Sequence, residues 1–248
     1  MVGAPAAADA VARARRLPGL RVGLHLVLID GRPVLPPAEL RGLVREDGTF
    51  DQNQVRAGFR YFLAPGIRKQ LATEIRAQFD AFRATGLPLD HVNAHKHMHL
   101  HPTVARLMVE IGRDYGMRAV RLPAESMGVL RRAFPSEGLP SPPPGFAVSA
   151  LRRRLRRAGV ACNDHLFGIA WTGGMTKARV LGLLPHLPAG VSEIYFHPAA
   201  ENTIALAGSM PGYRHADELA ALLSPAVRDR VRELKIELVS YTDLATAP

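Results

Sequence analysis

The chain has 248 residues with a hydrophobic content of 47%, which is enough to form a core in one large domain or two small ones. Its single cysteine, Cys162, excludes an internal disulfide framework and favours a reducing, cytoplasmic location. No run approaches the roughly 20 apolar residues that a membrane-spanning helix needs. The net charge of +10 is compatible with contact with an anionic partner or surface.

The hydrophobic pattern predicts strands that alternate with helices. In the first half it predicts a short Ala-rich helix over 4–14, a strand over 19–28, a helix over 67–85, a strand over 89–94, a helix over 102–115 and a strand over 117–122. In the second half it predicts a Pro-rich surface loop over 135–145, an extended segment over 160–163, a helix over 176–187, a strand over 191–196, helices over 216–234 and a last strand over 236–240. This rhythm predicts an α/β fold over 1–248, with a parallel sheet or barrel in a single domain.

Half of the ten histidines lie within eleven residues, which are numbered 91–101. In an extended segment His95, His97, His99 and His101 would point to the same face, because side chains alternate along a strand. A one-sided group of imidazoles is poor core material, and neutral imidazole is the commonest metal ligand in proteins. The pattern therefore predicts a metal or catalytic site, against the alternative of a solvated loop that is rich in histidine by chance.

Four ligand-type residues lie at or near the ends of four predicted strands: His25, His95, Arg121 and His197. Because parallel α/β folds place their active sites at the carboxyl ends of the strands, we expect these residues to converge. Two histidines and one oxygen ligand would leave a divalent metal with open positions, which suits hydrolysis of an amide or ester. His197 is the candidate acid or proton shuttle, and its alternative role is to hold the turn before Pro198.

Arginine dominates the positive charge, and residues 152–157 contain five arginines. One interpretation is a solvated basic helix face, and the other is contact with an anionic membrane surface. No interleaved aromatic residues or nucleic-acid motif accompany this cluster, so nucleic acid is not expected as a partner.

Three segments resemble the YdjC-like (ChbG-type) carbohydrate deacetylases in order and spacing. They are Gly-Leu-His-Leu at 23–26, the histidine run at 91–99 and Glu-Ile-Tyr-Phe-His-Pro at 193–198. Segments 163–168 and 171–176 are similar to the branch of that family associated with hopanoid biosynthesis.

The resemblance implies a deformed (β/α) barrel that removes the N-acetyl group from an N-acetylglucosamine unit with one divalent metal ion, Mg²⁺ or Zn²⁺. It implies that His25 and His95 are metal ligands, that His97 and His99 line the sugar pocket, and that His197 and Arg121 are catalytic. In the hopanoid branch the substrate would be an N-acetylglucosaminyl hopanoid, a lipid-linked sugar. The arginine-rich helix would then face a membrane.

Two departures from the family pattern affect these expectations. The chain has Asn93 where the family often has aspartate, and Lys96 where it often has histidine. The family's first βα unit, whose aspartate pair supplies a metal ligand and a base, is expected to be missing, since the sequence contains no Asp-Asp pair. The chain as given is then expected to expose a sheet edge, which could pair in a homodimer, and to be poorly stable and nearly inactive, while a longer form is the active deacetylase.

Two other functions remain as alternatives. A metal-dependent phosphoesterase would use the histidines and the positive charge, but it normally needs several bridging carboxylates, which are scarce at these strand ends. A non-enzymatic remnant would bind metal through the histidines and anionic lipid through the arginines.

Overall fold

The computed structural model describes residues 1–201 and 204–246, so residues 202, 203, 247 and 248 of the predicted 1–248 domain lie outside the described part. The strands are β1 (Val22–Leu26), β2 (Leu89–Ala94), β3 (His165–Phe167) and β4 (Ser192–Ile194). The helices are α1 (Ala7–Arg15), α2 (Gln54–Leu63), α3 (Pro65–Ala84), α4 (Pro102–Asp114), α5 (Met127–Ala133), α6 (Gly145–Arg157), α7 (Lys177–Leu183), α8 (Ile204–Ser209), α9 (His215–Leu223), α10 (Pro225–Glu233) and α11 (Tyr241–Thr246). Among the described residues, no helix is both long and apolar enough to cross a bilayer.

The chain forms two compact units. The first unit comprises Met1–Arg121, Phe146–Cys162 and Val239–Pro248, and the second comprises Leu122–Gly145 and Asn163–Leu238. The prediction of a single domain over 1–248 stays a prediction.

The first unit is built on parallel strands. Strands β1 and β2 pair in parallel, with His25 opposite Asn93 and Leu26 opposite Ala94. Single parallel bridges extend this arrangement from Val92 to Val120, and from Ala119 to Ala161. The predicted α/β class with mostly parallel strands is confirmed, and helices and parallel strands are the elements of a deformed (β/α) barrel. The strand predicted over 117–122 is reduced to the bridges at Ala119 and Val120, and Ala161 forms the single bridge of segment 160–163.

Helix α3 packs its predicted apolar face into the core of the first unit. The buried residues of this face are Leu71, Ile75, Phe79 and Phe82. Two polar residues on the helix, Glu74 and Gln78, are also buried. The Gln78 amide donates to the Val27 carbonyl at 2.7 Å and accepts from the Val27 N–H at 2.9 Å. It therefore satisfies the backbone where β1 has ended, as buried amide groups require.

The predicted strand over 236–240 is wrong, since helix α11 follows this segment and no strand is found there. Asp90, at the start of β2, accepts hydrogen bonds from the Thr242 N–H at 2.9 Å and the Thr242 hydroxyl at 2.7 Å. Burial opposes ionisation of Asp90, but the hydrogen bonds from His91 and Thr242 lower its pKa below the usual value. A buried carboxylate thus fixes the first turn of α11, where a negative charge is favourable.

The second unit contains the parallel pair β3 and β4, in which His165 lies opposite Ser192. Its core consists of Val129, Leu130, Phe167, Trp171, Met175, Val180, Leu183, Leu184 and Ala221. The Pro-rich segment predicted as a loop over 135–145 has no helix or strand until α6 begins at Gly145.

Candidate metal and catalytic site

His25 and His95 lie next to each other at the carboxyl ends of the two paired strands. His25 is the fourth residue of β1, and His95 directly follows the last residue of β2. The His25 Nε2 and the His95 Nδ1 are 3.5 Å apart, and the two rings meet edge to face with centroids 5.6 Å apart. The sequence-based expectation that these two histidines come together is met by this geometry.

Asn93 fixes the orientation of His25. The His25 Nδ1–H donates to the Asn93 side-chain oxygen at 2.5 Å, which leaves the lone pair on Nε2 directed toward His95. Burial lowers the pKa of His25 to about 3, although the hydrogen bond to Asn93 acts in the opposite direction. The ring is therefore neutral at physiological pH, which is the form that binds metals.

The prediction that the histidine run is extended is wrong. Residues His95–Leu100 form a tight 3₁₀-like turn, in which Lys96 (φ 48°) and His97 (φ 55°) have left-handed backbone conformations. The Lys96 ammonium contacts the Asp30 carboxylate at 2.5 Å, and the Gln54 amide donates to the Lys96 carbonyl at 2.8 Å. These contacts stabilise a conformation that non-glycine residues rarely adopt, and such conformations cluster at functional sites.

His99 is completely buried behind this turn. Its Nε2–H donates to the carbonyl of Arg121 at 2.9 Å, and burial lowers its pKa to about 3. The Arg121 N–H in turn donates to the Val92 carbonyl at 3.1 Å, which holds Arg121 beside the end of β2. The structure thus gives His99 a role in positioning Arg121, and its burial does not support the predicted contact with substrate.

The other histidines of the run face different surroundings. The His91 Nδ1 pairs with Asp90 at 2.8 Å, and its ring lies 4.5 Å from the Tyr241 ring. Gly23 makes room for this ring, since a Cβ there would lie 2.6 Å from it. The His101 ring meets the Tyr61 ring edge to face. The histidines of the run therefore do not form the one-sided group that the sequence suggested. His95 pairs with His25, while the rings of His91 and His101 pack against tyrosine rings.

The separation of the facing nitrogens of His25 and His95 is compatible with two ligands of one divalent metal. With metal–nitrogen bonds of about 2.0–2.1 Å, two imidazole nitrogens on a tetrahedral zinc ion are about 3.3 Å apart, close to the observed separation. Among the described residues, no group of three histidine, cysteine, aspartate or glutamate side chains could hold a metal ion. The oxygen ligand expected from the sequence is therefore not found in this part of the chain.

His197 belongs to the second unit, where its backbone is held on both sides. The His197 N–H donates to one Glu218 oxygen, and the other oxygen accepts from the Met175 N–H at 2.9 Å. The His215 Nδ1–H donates to the His197 carbonyl at 2.5 Å. Both Glu218 and His215 are buried. The predicted convergence of His197 with His25, His95 and Arg121 stays a prediction.

Two tyrosine rings flank the His197 ring, and residues of the segment at 171–176 contact both tyrosines. The rings of Tyr195 and Tyr213 lie 5.4 Å and 5.2 Å from that of His197. Gly173 has a φ of 76°, and a Cβ there would lie 2.3 Å from the Tyr213 ring, so only glycine fits. The Thr172 hydroxyl pairs with the Tyr195 hydroxyl at 2.7 Å. The motif therefore shapes the surroundings of His197.

Sequence reasoning missed Glu218, His215 and Asn163. Glu218 and His215 are three residues apart on α9, and they share a face with the buried Ala221. The position of two polar residues, His215 and Glu218, on an apolar helix face was the sequence feature that could have indicated their buried role. The buried Asn163 accepts from the Leu122 N–H at 2.7 Å and donates to the Leu122 carbonyl at 2.9 Å, a contact between residues 41 positions apart that its motif did not reveal.

Known proteins resemble this chain over nearly its whole length. The family model for YdjC-like protein matches residues 1–233. The chain is 30% identical over 248 residues to a carbohydrate deacetylase of Vibrio vulnificus, covering 100% of this chain and 84% of that protein. It is 28% identical to a carbohydrate deacetylase of Geobacillus stearothermophilus, covering 98% and 84%.

A solved structure from Enterococcus faecalis V583, named as a candidate cellobiose-phosphate cleavage protein, superposes with a TM-score of 0.76. The match covers 99% of this chain and 86% of that chain at 22% sequence identity, so it supports the fold alone. Together with the match over residues 1–233, these findings show that the chain belongs to the YdjC-like family.

Proposed function

We propose that this protein is a metal-dependent carbohydrate N-deacetylase that hydrolyses the acetamide of an N-acetylglucosamine unit. The observation that carries the proposal is the His25–His95 pair at the ends of two parallel strands, with its facing nitrogens 3.5 Å apart. The relatives named as carbohydrate deacetylases support the reaction class. Zn²⁺ and Mg²⁺ are both candidates for the metal, and imidazole ligands favour Zn²⁺.

His25 and His95 would hold the metal, and Asn93 would keep the His25 lone pair directed at it. When bound, a divalent metal polarises a carbonyl and makes water a stronger nucleophile, which is the chemistry that amide hydrolysis needs. The positive charge of Arg121 would orient a carboxylate or the developing oxyanion, and His99 would position Arg121 through its carbonyl.

Amide hydrolysis also requires a proton for the leaving amine. His197 is the proposed acid, since its backbone is fixed by Glu218 and His215 and its ring lies between two tyrosine rings. His97 lies on the left-handed part of the turn that begins at His95, and it is the proposed contact to the sugar.

The finer substrate proposal is an N-acetylglucosaminyl hopanoid, in a cytoplasmic enzyme that touches a membrane. It depends on the resemblance of segments 163–168 and 171–176, and on the outer face of α6. On that helix Leu151 and Leu155 are buried, while Arg153, Arg156 and Arg157 are exposed. An exposed basic face is compatible with an anionic lipid surface.

The test is acetate release from N-acetylglucosamine oligosaccharides and from an N-acetylglucosaminyl lipid, with and without EDTA. It compares the 248-residue chain with the same chain extended by any in-frame upstream codons, because the family pattern contains an aspartate pair that this sequence lacks. EDTA-sensitive acetate release supports the proposal. Phosphate release from a generic ester would favour the phosphoesterase, and metal binding without hydrolysis by either chain would favour the binding remnant.

A further inference from the structure

Helix α2 (Gln54–Leu63) carries large apolar side chains on its outer face. The exposed fractions are 70% for Val55, 65% for Phe59, 57% for Phe62 and 68% for Leu63. These positions follow the i, i+4, i+7, i+8 spacing of one helix face. The opposite face is buried through Ala57 and Tyr61, so the helix packs on one side, while the side chains of its outer face are largely exposed in the described part of the chain.

The charge around this apolar face has one sign. Residues 54–73 contain Arg56, Arg60, Arg68 and Lys69 and no acidic residue. The buried Asp51, which precedes the helix, pairs with Arg56 at 2.5 Å and with Arg60 at 3.8 Å. An apolar face with aromatic residues and flanking cations is typical of helices that lie in the interface of an anionic bilayer.

A second copy of the chain fits this face less well. In a two-fold dimer the same patch would meet itself, which would bring the arginines and the lysine of both copies together. Like charges held close across an interface oppose association. The charge distribution therefore favours an anionic partner over a second copy.

Helix α2 is also connected directly to the histidine turn of the first unit. The Gln54 amide donates to the Lys96 carbonyl at 2.8 Å, and the Phe62 ring lies 6.4 Å from the His101 ring. A surface that binds α2 therefore lies beside the turn that carries His95 and His97.

We propose that the outer face of α2 inserts into the headgroup and acyl boundary of an anionic bilayer, and so holds the histidine site at the membrane surface. This proposal adds an apolar anchor to the electrostatic contact proposed for α6. It concerns membrane binding, and it does not depend on the reaction that the histidines perform.

The experiment is sedimentation of the full chain with vesicles of phosphatidylcholine alone, or with 30 mol% phosphatidylglycerol (about one lipid in three, a composition chosen to give a strong surface potential). The variant V55S/F59S/L63S leaves Phe62 and its contact with His101 in place. We expect the wild type to bind the anionic vesicles, and the variant to bind them at least about tenfold more weakly. L223S, which changes an exposed leucine on α9, is the matched control and should bind like the wild type.

Insertion is read separately with F59W, whose fluorescence should be quenched by lipids with brominated acyl chains. Circular dichroism and the Tm check that each variant is folded, and acetate release from a water-soluble substrate should be the same in V55S/F59S/L63S and the wild type. Equal vesicle binding by the wild type and V55S/F59S/L63S would overturn the proposal, as would absence of binding by the wild type. A wild-type dimer in light scattering that V55S/F59S/L63S converts to a monomer would show instead that α2 is an interface between copies.

Discussion

His25 and His197 are both candidate functional histidines, but the structure holds them in different ways. The ring of His25 is held through its own nitrogen atoms, by Asn93 on Nδ1 and next to His95 on Nε2. The backbone of His197 is held instead, by Glu218 at its N–H and by His215 at its carbonyl. The first arrangement fixes the direction of the His25 Nε2 lone pair, and the second fixes the position of the His197 backbone.

This difference matches two kinds of chemistry. A metal ligand needs a neutral ring with a lone pair in a defined direction, and its hydrogen-bond partner sets that direction. A group that transfers a proton must change its protonation state during the reaction, and its position must stay fixed while it does so. The arrangement of His25 is thus compatible with its proposed role as a metal ligand, and that of His197 with its proposed role as the acid.

The largest effect on metal affinity and acetate release is expected from removing the imidazole of His25 or His95. H25A and H95A should each lower metal affinity and acetate release by more than the roughly 10–100-fold typical of losing only a ligand's hydrogen-bond partner. Metal content by mass spectrometry and acetate release measure the two effects. H186A, which changes an exposed histidine, is the control. Full metal content in H25A would contradict the assignment.

The next effect concerns the partner of His25. N93A removes the oxygen that accepts the Nδ1–H, so metal affinity should fall by about 10–100-fold. N93D keeps an acceptor at the same place, and it should restore most of the affinity. If N93A and N93D bound metal equally weakly, the hydrogen bond would not be the reason for the loss.

A smaller effect on stability and on the rate is expected from changing Glu218, which holds the His197 backbone. Glu218 accepts two backbone N–H groups, and E218Q would present an amide N–H to one of them. Leaving that group unpaired should cost about 1–3 kcal/mol of stability, and the displaced His197 should lower kcat about tenfold with little change in KM.

Metal content should remain that of the wild type in E218Q, because Glu218 binds the backbone N–H groups of Met175 and His197 and is not a proposed metal ligand. A pH profile of kcat separates the two explanations for a lower rate. A change confined to stability would leave the profile unmoved, and this outcome would argue against the role of His197 as the acid.

The smallest effect is expected at the start of α2. The Arg56 guanidinium beside Asp51 lowers the pKa of that carboxyl to about 2, from an ordinary value of 3.8. Because the folded pKa is the lower one, this contribution to stability is present above about pH 4 and is lost as the pH falls toward 2. D51N should lower the Tm by a few degrees at pH 7 and by less near pH 2. A pH-independent difference in Tm would contradict the ion-pair explanation.

The sequence predicted the strand-end histidines because the signal was local. An apolar strand followed by His25 or His95 can be read directly, and parallel pairing then brings the two together. The face of α3 with Leu71, Ile75 and Phe79 was predicted for the same reason, since the helical spacing of apolar residues is a local pattern.

The turn at 95–100 could not be predicted, because its cause is distant in the chain. Lys96 is held by Asp30 and Gln54, and no local rule indicates that two consecutive non-glycine residues adopt left-handed conformations. The clamp on His197 has the same origin, since Glu218 lies 21 residues away from it. Tertiary hydrogen bonds of this kind override local propensity.

The most direct test of the central claim is a titration of acetate release against bound zinc in the metal-free protein, alongside H25A/H95A. The measurement uses an N-acetylglucosaminyl substrate, on the 248-residue chain and on the same chain with any in-frame upstream codons added. We expect release to rise with zinc and to saturate at about one ion per chain, and we expect the double variant to show neither binding nor release. Acetate release that is independent of metal, or equal zinc binding by the double variant, would contradict the account.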